Sequence, residues 1–414
     1  MKKNILLSIL VLFSITFFFL KCTKSPDDTL PTDPVEIELT SEQIALVESE
    51  NSFAFDVFSR IMENEGSGKN IMISPLSISY ALSMTLNGAK GETLDAMLEA
   101  LRVTGLTPEE LNVSYQKLTE ALLSVDKRVI MQIANSVWSR DDFAVKEAFI
   151  DILETYYDAE SKAFKAGDPQ TPVIINNWIE DNTNGLIKDM IDVIPADVVM
   201  LLVNAIYFKG MWKYQFDKTE TDDLPFYKNG NVAADVPTMS LEKNLRTYRG
   251  EDFILAELPY GQGNFVMDII LPDEYDGISS LLPEMNETSF STWIGQAYET
   301  KVDLYLPRFK YKYKTELKDI LTDMGMGLAF SDYADFTNIA DDNLAISEVL
   351  HQTFVETNEE GTEAAAATVV TMSNTSAPAD PMVFRADHPF IYIIRETTTN
   401  SIIFIGVVTD PLAE

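Results

Sequence analysis

From Ser41 onward the chain shows apolar positions at helical spacing, through Ile44, Val47, Phe53, Phe55, Val57 and Phe58. Ser41-Glu42-Gln43 offers a polar start for that helix. The same spacing predicts helices over residues 74–86, 92–101, 108–122 and 171–182. Further along, the pattern changes to runs of β-branched and aromatic residues, at 201–208, 253–258, 265–271, 302–306, 390–394 and 402–408. Such runs suit strands. Helices mostly precede strands, and no repeat or second linker interrupts them. The expectation is one α+β domain over residues 41–414, built on a large sheet.

The first forty residues follow other rules. Lys2 and Lys3 precede an apolar run over 5–20, and polar sequence resumes at Lys21. This is the layout of a removable export signal, 1–21. A retained anchor is the alternative, although about 16 apolar residues fall short of the roughly 20 a span needs. Cys22 is the only cysteine, so no intramolecular disulfide can form. Its place resembles that of the acylated first residue of a bacterial lipoprotein, although Phe19, Leu20 and Lys21 are not the small residues usual before it. A lipid on Cys22 would give the chain a membrane partner. Residues 22–40, with Pro26, Pro31 and Pro34, are expected to be an extended tether.

Composition mainly excludes. Of 414 residues 46% are hydrophobic and 23% charged, which is ordinary for a globular chain. Lys plus Arg number 31 against 65 Asp plus Glu, a net charge of −34. A nucleic-acid partner is therefore not expected, because phosphate binding needs clustered cations. With two histidines, His351 and His388, a conventional His-based zinc site is absent. No GxSxG, Walker loop, GxGxxG or HExxH occurs. Carboxylates are too numerous for any pair to be singled out as acid and base. Asp222-Asp223 and Asp341-Asp342 are expected to be solvated turns. No enzyme, cofactor or metal is predicted.

One stretch stands apart: Asn358, Glu359, Glu360, Gly361, Thr362, Glu363, Ala364, Ala365, Ala366, Ala367, Thr368, Val369 and Val370, followed by small and polar residues to Ala379. Four alanines favour helix in isolation, with Thr362 as a cap. Laid out as a strand, Thr362, Ala364, Ala366, Thr368 and Val370 share one face, and Glu363 falls on the other. No bulky side chain or proline would bar this run from the middle of a sheet. Gly361 permits a sharp backbone change just ahead of it. The segment can therefore be an exposed loop or a buried strand, a candidate bistable element.

This segment and its surroundings resemble a serpin across residues 52–411. The blocks that carry the likeness are NIMISPLSISYALSMTL (70–86), INNWIEDNTNGLIKDMI (175–191), LVNAIYFKGMWKYQF (202–216), LPYGQGNFVMDIILP (258–272), VDLYLPRFKYKYKTEL (302–317), GMGLAFSDYADFTNI (325–339), FRADHPFIYIIRE (384–396) and SIIFIGVVTDP (401–411). The resemblance implies a metastable fold of three β-sheets and about nine helices, with an exposed reactive loop at about 359–379. It implies a suicide-substrate inhibitor of serine proteases, with cysteine proteases secondary, that acts as a monomer. The loop is cut, the protease is held as an acyl-enzyme, and the loop inserts into the main sheet. From Thr362 to Thr375 an extended strand spans roughly 45–50 Å.

The family's hinge runs here from Glu359 to Thr368. Counting from Gly361 and back from Phe384 both place the offered bond at Thr375–Ser376; Met372, Ser373 and Asn374 remain alternatives. A threonine bait suits elastase-like or subtilisin-like pockets. Ser74, Ser77, Asn204 and His351 match the family's shutter, and Trp212 its breach. On the residues alone, His351 and Trp212 are equally a satisfied core histidine and a core aromatic, and His388 has no assigned role. The alternative function is a non-inhibitory binding protein of the same fold.

Overall fold

Residue chemistry explains several of the helix starts. In the computed structural model, which describes residues 33–66, 68–165, 167–228, 230–362 and 380–413, helix α1 (Ser41–Glu65) opens with a capping box between Thr40 and Gln43. The same device, Thr107 with Glu110, opens α4 (Pro108–Ser124). Ser74 caps α2 (Pro75–Leu86), with a proline in the first turn. The other helices are α3 (Gly91–Ala100), α5 (Glu147–Tyr157), α6 (Thr171–Asn182), α7 (Ile278–Leu281), α8 (Glu287–Gln296) and α9 (Lys318–Asp323). Nine α-helices among the described residues agree with expectation.

The strands are β1 (Ile71–Ile73), β2 (Val129–Arg140), β3 (Ala159–Phe164), β4 (Met200–Met211), β5 (Asp222–Lys228), β6 (Asn231–Arg249), β7 (Phe253–Pro259), β8 (Phe265–Pro272), β9 (Tyr298–Pro307), β10 (Phe309–Glu316), β11 (Leu350–Asn358), β12 (Gly361–Thr362), β13 (Met382–Arg385), β14 (Phe390–Glu396) and β15 (Ile402–Val408). They form two hydrogen-bonded networks among the described residues, where three sheets were expected. The difference lies in β6. It pairs with β5 along its first part, β9 along its middle and β7 at its end, and so joins two sheets into one ladder. Long β-rich stretches such as β14 and β15 are buried on both faces, which accounts for their unbroken apolar sequence.

The smaller network has the order β10-β11-β12-β4-β2-β3. One of its faces rests on the main core, with Ile206, Phe208 and Val355 in the same cluster as α1 and α2. The other carries a second cluster, where Val203 and Ala205 pack with Ile175, Trp178 and Ile179 of α6. This sheet is therefore covered above and below. Ahead of α1, the chain is already seated: Val35 exchanges two hydrogen bonds with the Asn264 side chain, at 2.8 and 2.7 Å. The Ile37 amide donates to Thr398 Oγ1 at 3.1 Å, and Ile37 and Leu39 pack on the core. The export-signal segment, Cys22 and the first part of the tether lie outside the described residues.

Candidate functional site

Strand β12 is two residues long, yet it sits in the middle of the smaller sheet. Thr362 pairs with Thr357 of β11 on one side and Gly210 of β4 on the other; Gly361 pairs with Asn358 and Met211. Both pairings are antiparallel, so β11 and β4 run parallel to each other with β12 wedged between their ends. Below that wedge, residues 350–356 of β11 pair only with β10, and residues 200–209 of β4 only with β2, among the described residues. Each strand thus has one backbone edge turned toward the other without a described partner strand.

Around the wedge the side chains form a tight lock. The backbone amides of Trp212 and Phe216 donate to the carbonyls of Glu360 and Glu359 at 2.9 and 3.0 Å. Trp212 Nε1 donates to the Asn358 carbonyl at 2.8 Å. The indole stacks on Tyr260, with centroids 4.3 Å apart and planes 15° from parallel. The Tyr260 hydroxyl in turn shares a hydrogen bond of 2.8 Å with Thr362 Oγ1. Glu359 is 2% exposed and accepts from Arg308 Nε at 2.7 Å and from Thr221 Oγ1 at 2.5 Å. Burial pushes its carboxyl up, but the hydrogen bonds from Arg308 and Thr221 outweigh that and hold it below its ordinary value. Glu360 pairs with Lys218.

Gly361 is required here for two reasons. Its φ is +148°, and a Cβ on it would lie 2.0 Å from the Gly210 carbonyl oxygen. Backbone cannot yield as a flexible side chain can. Gly361→Ala is expected to unseat β12 at a cost of about 2 kcal/mol or more, read as a drop of a few degrees in the melting temperature. An unchanged midpoint would contradict this account of the hinge.

Farther down, four residues dispersed in sequence meet at the start of α2. The Ser74 amide donates to His351 Nε2 at 3.0 Å, and Ser74 Oγ donates to the Ile403 carbonyl at 2.8 Å. Ser77 Oγ donates to Asn204 Oδ1. One turn of helix therefore pins β11 through His351 and β4 through Asn204. Burial drives His351 down to about 3, so the ring is neutral, with its proton on Nδ1. It is an acceptor in a buried network, not a catalytic base. His388, buried beside Asp387 and the Pro272 carbonyl, belongs to a different part of the fold.

Sequence reasoning found Ser74, Ser77, Asn204, His351, Trp212 and Glu359 to Thr362, and the structure brings them into two clusters on one pair of strands. It missed Tyr260, Arg308, Thr221 and Lys218, which complete the upper lock, and Asn135, which accepts from Asn204 Nδ2 at 2.6 Å. Asn135 carried a faint signal, as a polar residue in phase with Ile133 and Val137 on an apolar strand. The other four are recognisable only from contacts between distant elements. Glu363, Ala364, Ala365, Ala366, Ala367, Thr368, Thr375 and Ser376 lie outside the described residues.

This geometry has a counterpart in known proteins. The family model for serpins, described as serine protease inhibitors, matches residues 48–411. An uncharacterized serpin-like protein of Thermococcus kodakarensis is 32% identical over 403 residues, covering 94% of this chain and 92% of its own. Among solved structures, the thermophilic serpin tengpin in its native state is 33% identical with a TM-score of 0.81, over 93% of this chain and 98% of its own. Human thyroxine-binding globulin complexed with its ligand is 27% identical with a TM-score of 0.82, over 90% and 100%. The chain belongs to the serpin family, whose members in general are protease inhibitors and bind target proteases.

Proposed function

We propose that this serpin inhibits serine proteases, with cysteine proteases secondary, as a suicide substrate whose cut loop completes the smaller sheet. The observation that carries the reading is the seat of β12. Continuing its register from Thr362 takes each loop residue one step down both flanking strands. Six residues on, Thr368 falls opposite Asn204, six before Gly210, and opposite His351, six before Thr357. Ala364 and Ala366 then follow the buried Thr362 face onto Phe208, Ile206, Val355 and Thr353. Ala365, Ala367 and Val369 would then lie on the α6 side, level with Tyr207, Ala205 and Val203. Glu363 meets Lys209. Small residues suit a strand buried on both faces, and backbone hydrogen bonds gained on insertion are worth about 1 kcal/mol apiece. The free energy released is the spring.

In the proposed reaction the protease serine attacks the Thr375 carbonyl. The peptide bond to Ser376 breaks, the new amine leaves with a proton, and Thr375 stays esterified to the protease. Insertion then removes the ester from its catalytic surroundings. A threonine favours elastase-like or subtilisin-like enzymes; a trypsin-like pocket gains nothing from it. The protein is read as a monomer, exported and either secreted or held at the cell envelope by a lipid on Cys22.

Incubation with an elastase and with subtilisin tests the reading. The expected product is an adduct that survives denaturant, with a released peptide whose mass begins at Ser376. Loop cleavage with no adduct, and no rise in melting temperature afterwards, would overturn it. That outcome would favour the carrier reading raised by the likeness to thyroxine-binding globulin.

A further inference from the structure

Beneath the shutter, a buried carboxyl sits among three tyrosines. Glu50 of α1 is 6% exposed and accepts from the Tyr115 hydroxyl of α4, while its second oxygen, Oε2, is buried without a hydrogen-bond partner. Ser83 Oγ of α2, close to Tyr115 and Tyr157, is buried and unpartnered too. The Tyr80 hydroxyl of α2 donates to the Tyr115 carbonyl at 2.9 Å. Tyr80 meets Tyr115 and Tyr157 edge-on, with centroids 4.9 and 5.6 Å apart. The titratable groups facing Glu50 are thus Tyr80, Tyr115 and Tyr157, with Glu120 of α4 acting on Tyr80 from farther away. Elsewhere on α1, Phe55 packs on Phe290 of α8 and Asn51 accepts from the Ile402 amide of β15 at 3.1 Å, while α9 turns Ile320 and Leu321 to the core. No ion pair reaches Glu50 among the described residues. Burial, only partly offset by the Tyr115 hydrogen bond and the nearby Ser79 hydroxyl, raises its carboxyl to about 8.

The cluster does not end there. The Tyr157 hydroxyl donates to Asn112 Oδ1 at 2.7 Å, and its carbonyl accepts from Asn135 Nδ2 at 2.6 Å. Asn135 Oδ1 accepts from Asn204, and Asn204 Oδ1 accepts from Ser77. A continuous series of buried contacts therefore links Glu50 to the bond that pins β4 onto α2. Parting β4 from β11 while β2 and α5 follow β4 must break Ser77–Asn204 and strain Tyr157–Asn112. The packing of Tyr157 on Tyr80 and Tyr115 resists that motion only while the pocket stays intact.

We propose that Glu50 is a proton-held brake on sheet opening: neutral, it keeps the tyrosine pocket packed and the Asn135–Asn204 relay in place; ionised, it loosens both and speeds loop insertion. This rests on the reading that β4 and β11 part to admit the loop. A lone buried carboxylate without a cation is costly, so the pocket must open or hydrate to accommodate it.

The test is the rate of spontaneous loss of inhibitory activity, with gain of heat stability, at pH 6 to 9.5. The expected result is a rate that climbs as pH rises from 6 toward 8, by up to tenfold per pH unit, and flattens above 8, and that is level throughout in Glu50→Gln. Should that variant fold poorly, Tyr115→Phe serves instead. It removes the donor that favours the ionised carboxyl and should shift the climb to higher pH, a movement no merely structural defect would give. In Asn135→Ala the climb should vanish from the insertion rate yet persist in urea unfolding. The same climb in Glu50→Gln, or an unmoved climb in both other variants, overturns the brake. If loop cleavage fails to raise the melting temperature in any variant, insertion itself is at fault rather than Glu50.

Discussion

Thr362→Arg is expected to abolish the covalent adduct with elastase while leaving the loop cleavable and the fold intact. Thr362 is 5% exposed, and its hydroxyl meets that of Tyr260 in a pocket walled by Trp212 and Phe208. The described structure around it offers Glu359 and Glu360, but both are already paired with Arg308 and Lys218. An arginine would have to bury its guanidinium there or stay outside and block the first step of insertion. A penalty of about 3 kcal/mol on that step shifts the partition between trapping and hydrolysis by roughly 100-fold. The measurement is the number of inhibitor molecules consumed per protease inactivated. Should that number stay near one, insertion does not begin at β12.

The second large effect is acid sensitivity with two limbs. His351 has a folded value of about 3 against an ordinary 6.5, a depressed one. Its contribution is therefore whole above 6.5 and is lost as pH falls toward 3. At pH 4.5 the loss is about 3 kcal/mol. Glu50 runs the other way: raised from 4.5 to about 8, its contribution is whole below 4.5 and is lost as pH rises to 8. Between 4.5 and 6.5 the two slopes oppose, so stability should be level there and fall on either side. Urea unfolding across pH 3 to 9 measures this. His351→Gln, whose amide oxygen can still accept from Ser74, should erase the acid limb alone. A parent protein whose stability is unchanged from pH 6.5 to 4.5 but also unchanged from 4.5 to 3.5 would contradict the buried neutral histidine.

Much of this was legible because single residues carry several constraints at once. Ser74 is a helix cap, a hydrogen-bond donor to β15 and a donor to His351, and a Ser-Pro pair before an apolar helix announces the cap in sequence. Helix α6 and strand β15 fell within their predicted bounds, since one has a proline in its first turn and apolar periodicity and the other an unbroken apolar run. Strand β6 was not foreseen. It alternates Thr, Ser, Glu, Lys and Arg with apolar residues because half of its surface faces water, and its three successive partners come from distant parts of the chain. The same holds for Arg308 and Glu359, which lie 51 positions apart. No local pattern makes them neighbours; the β9-to-β10 corner and the end of β11 do. Glu50 looked like one more surface acid in a chain of 65 acidic residues, and only burial separates it from them.

The seat of Val35 on Asn264 has a mechanical side. Asn264 lies in the turn that the Tyr260 amide closes on the Phe265 carbonyl at 2.8 Å, and the Tyr260 hydroxyl shares a hydrogen bond with Thr362. A molecule tethered by its N-terminus and pulled by flow or by a bound protease takes the load first at this turn, before α1 feels it. In a chain held by its N-terminus, the seat of Val35 and the support of β12 would share the turn 260–264, so a pull on one would reach the other.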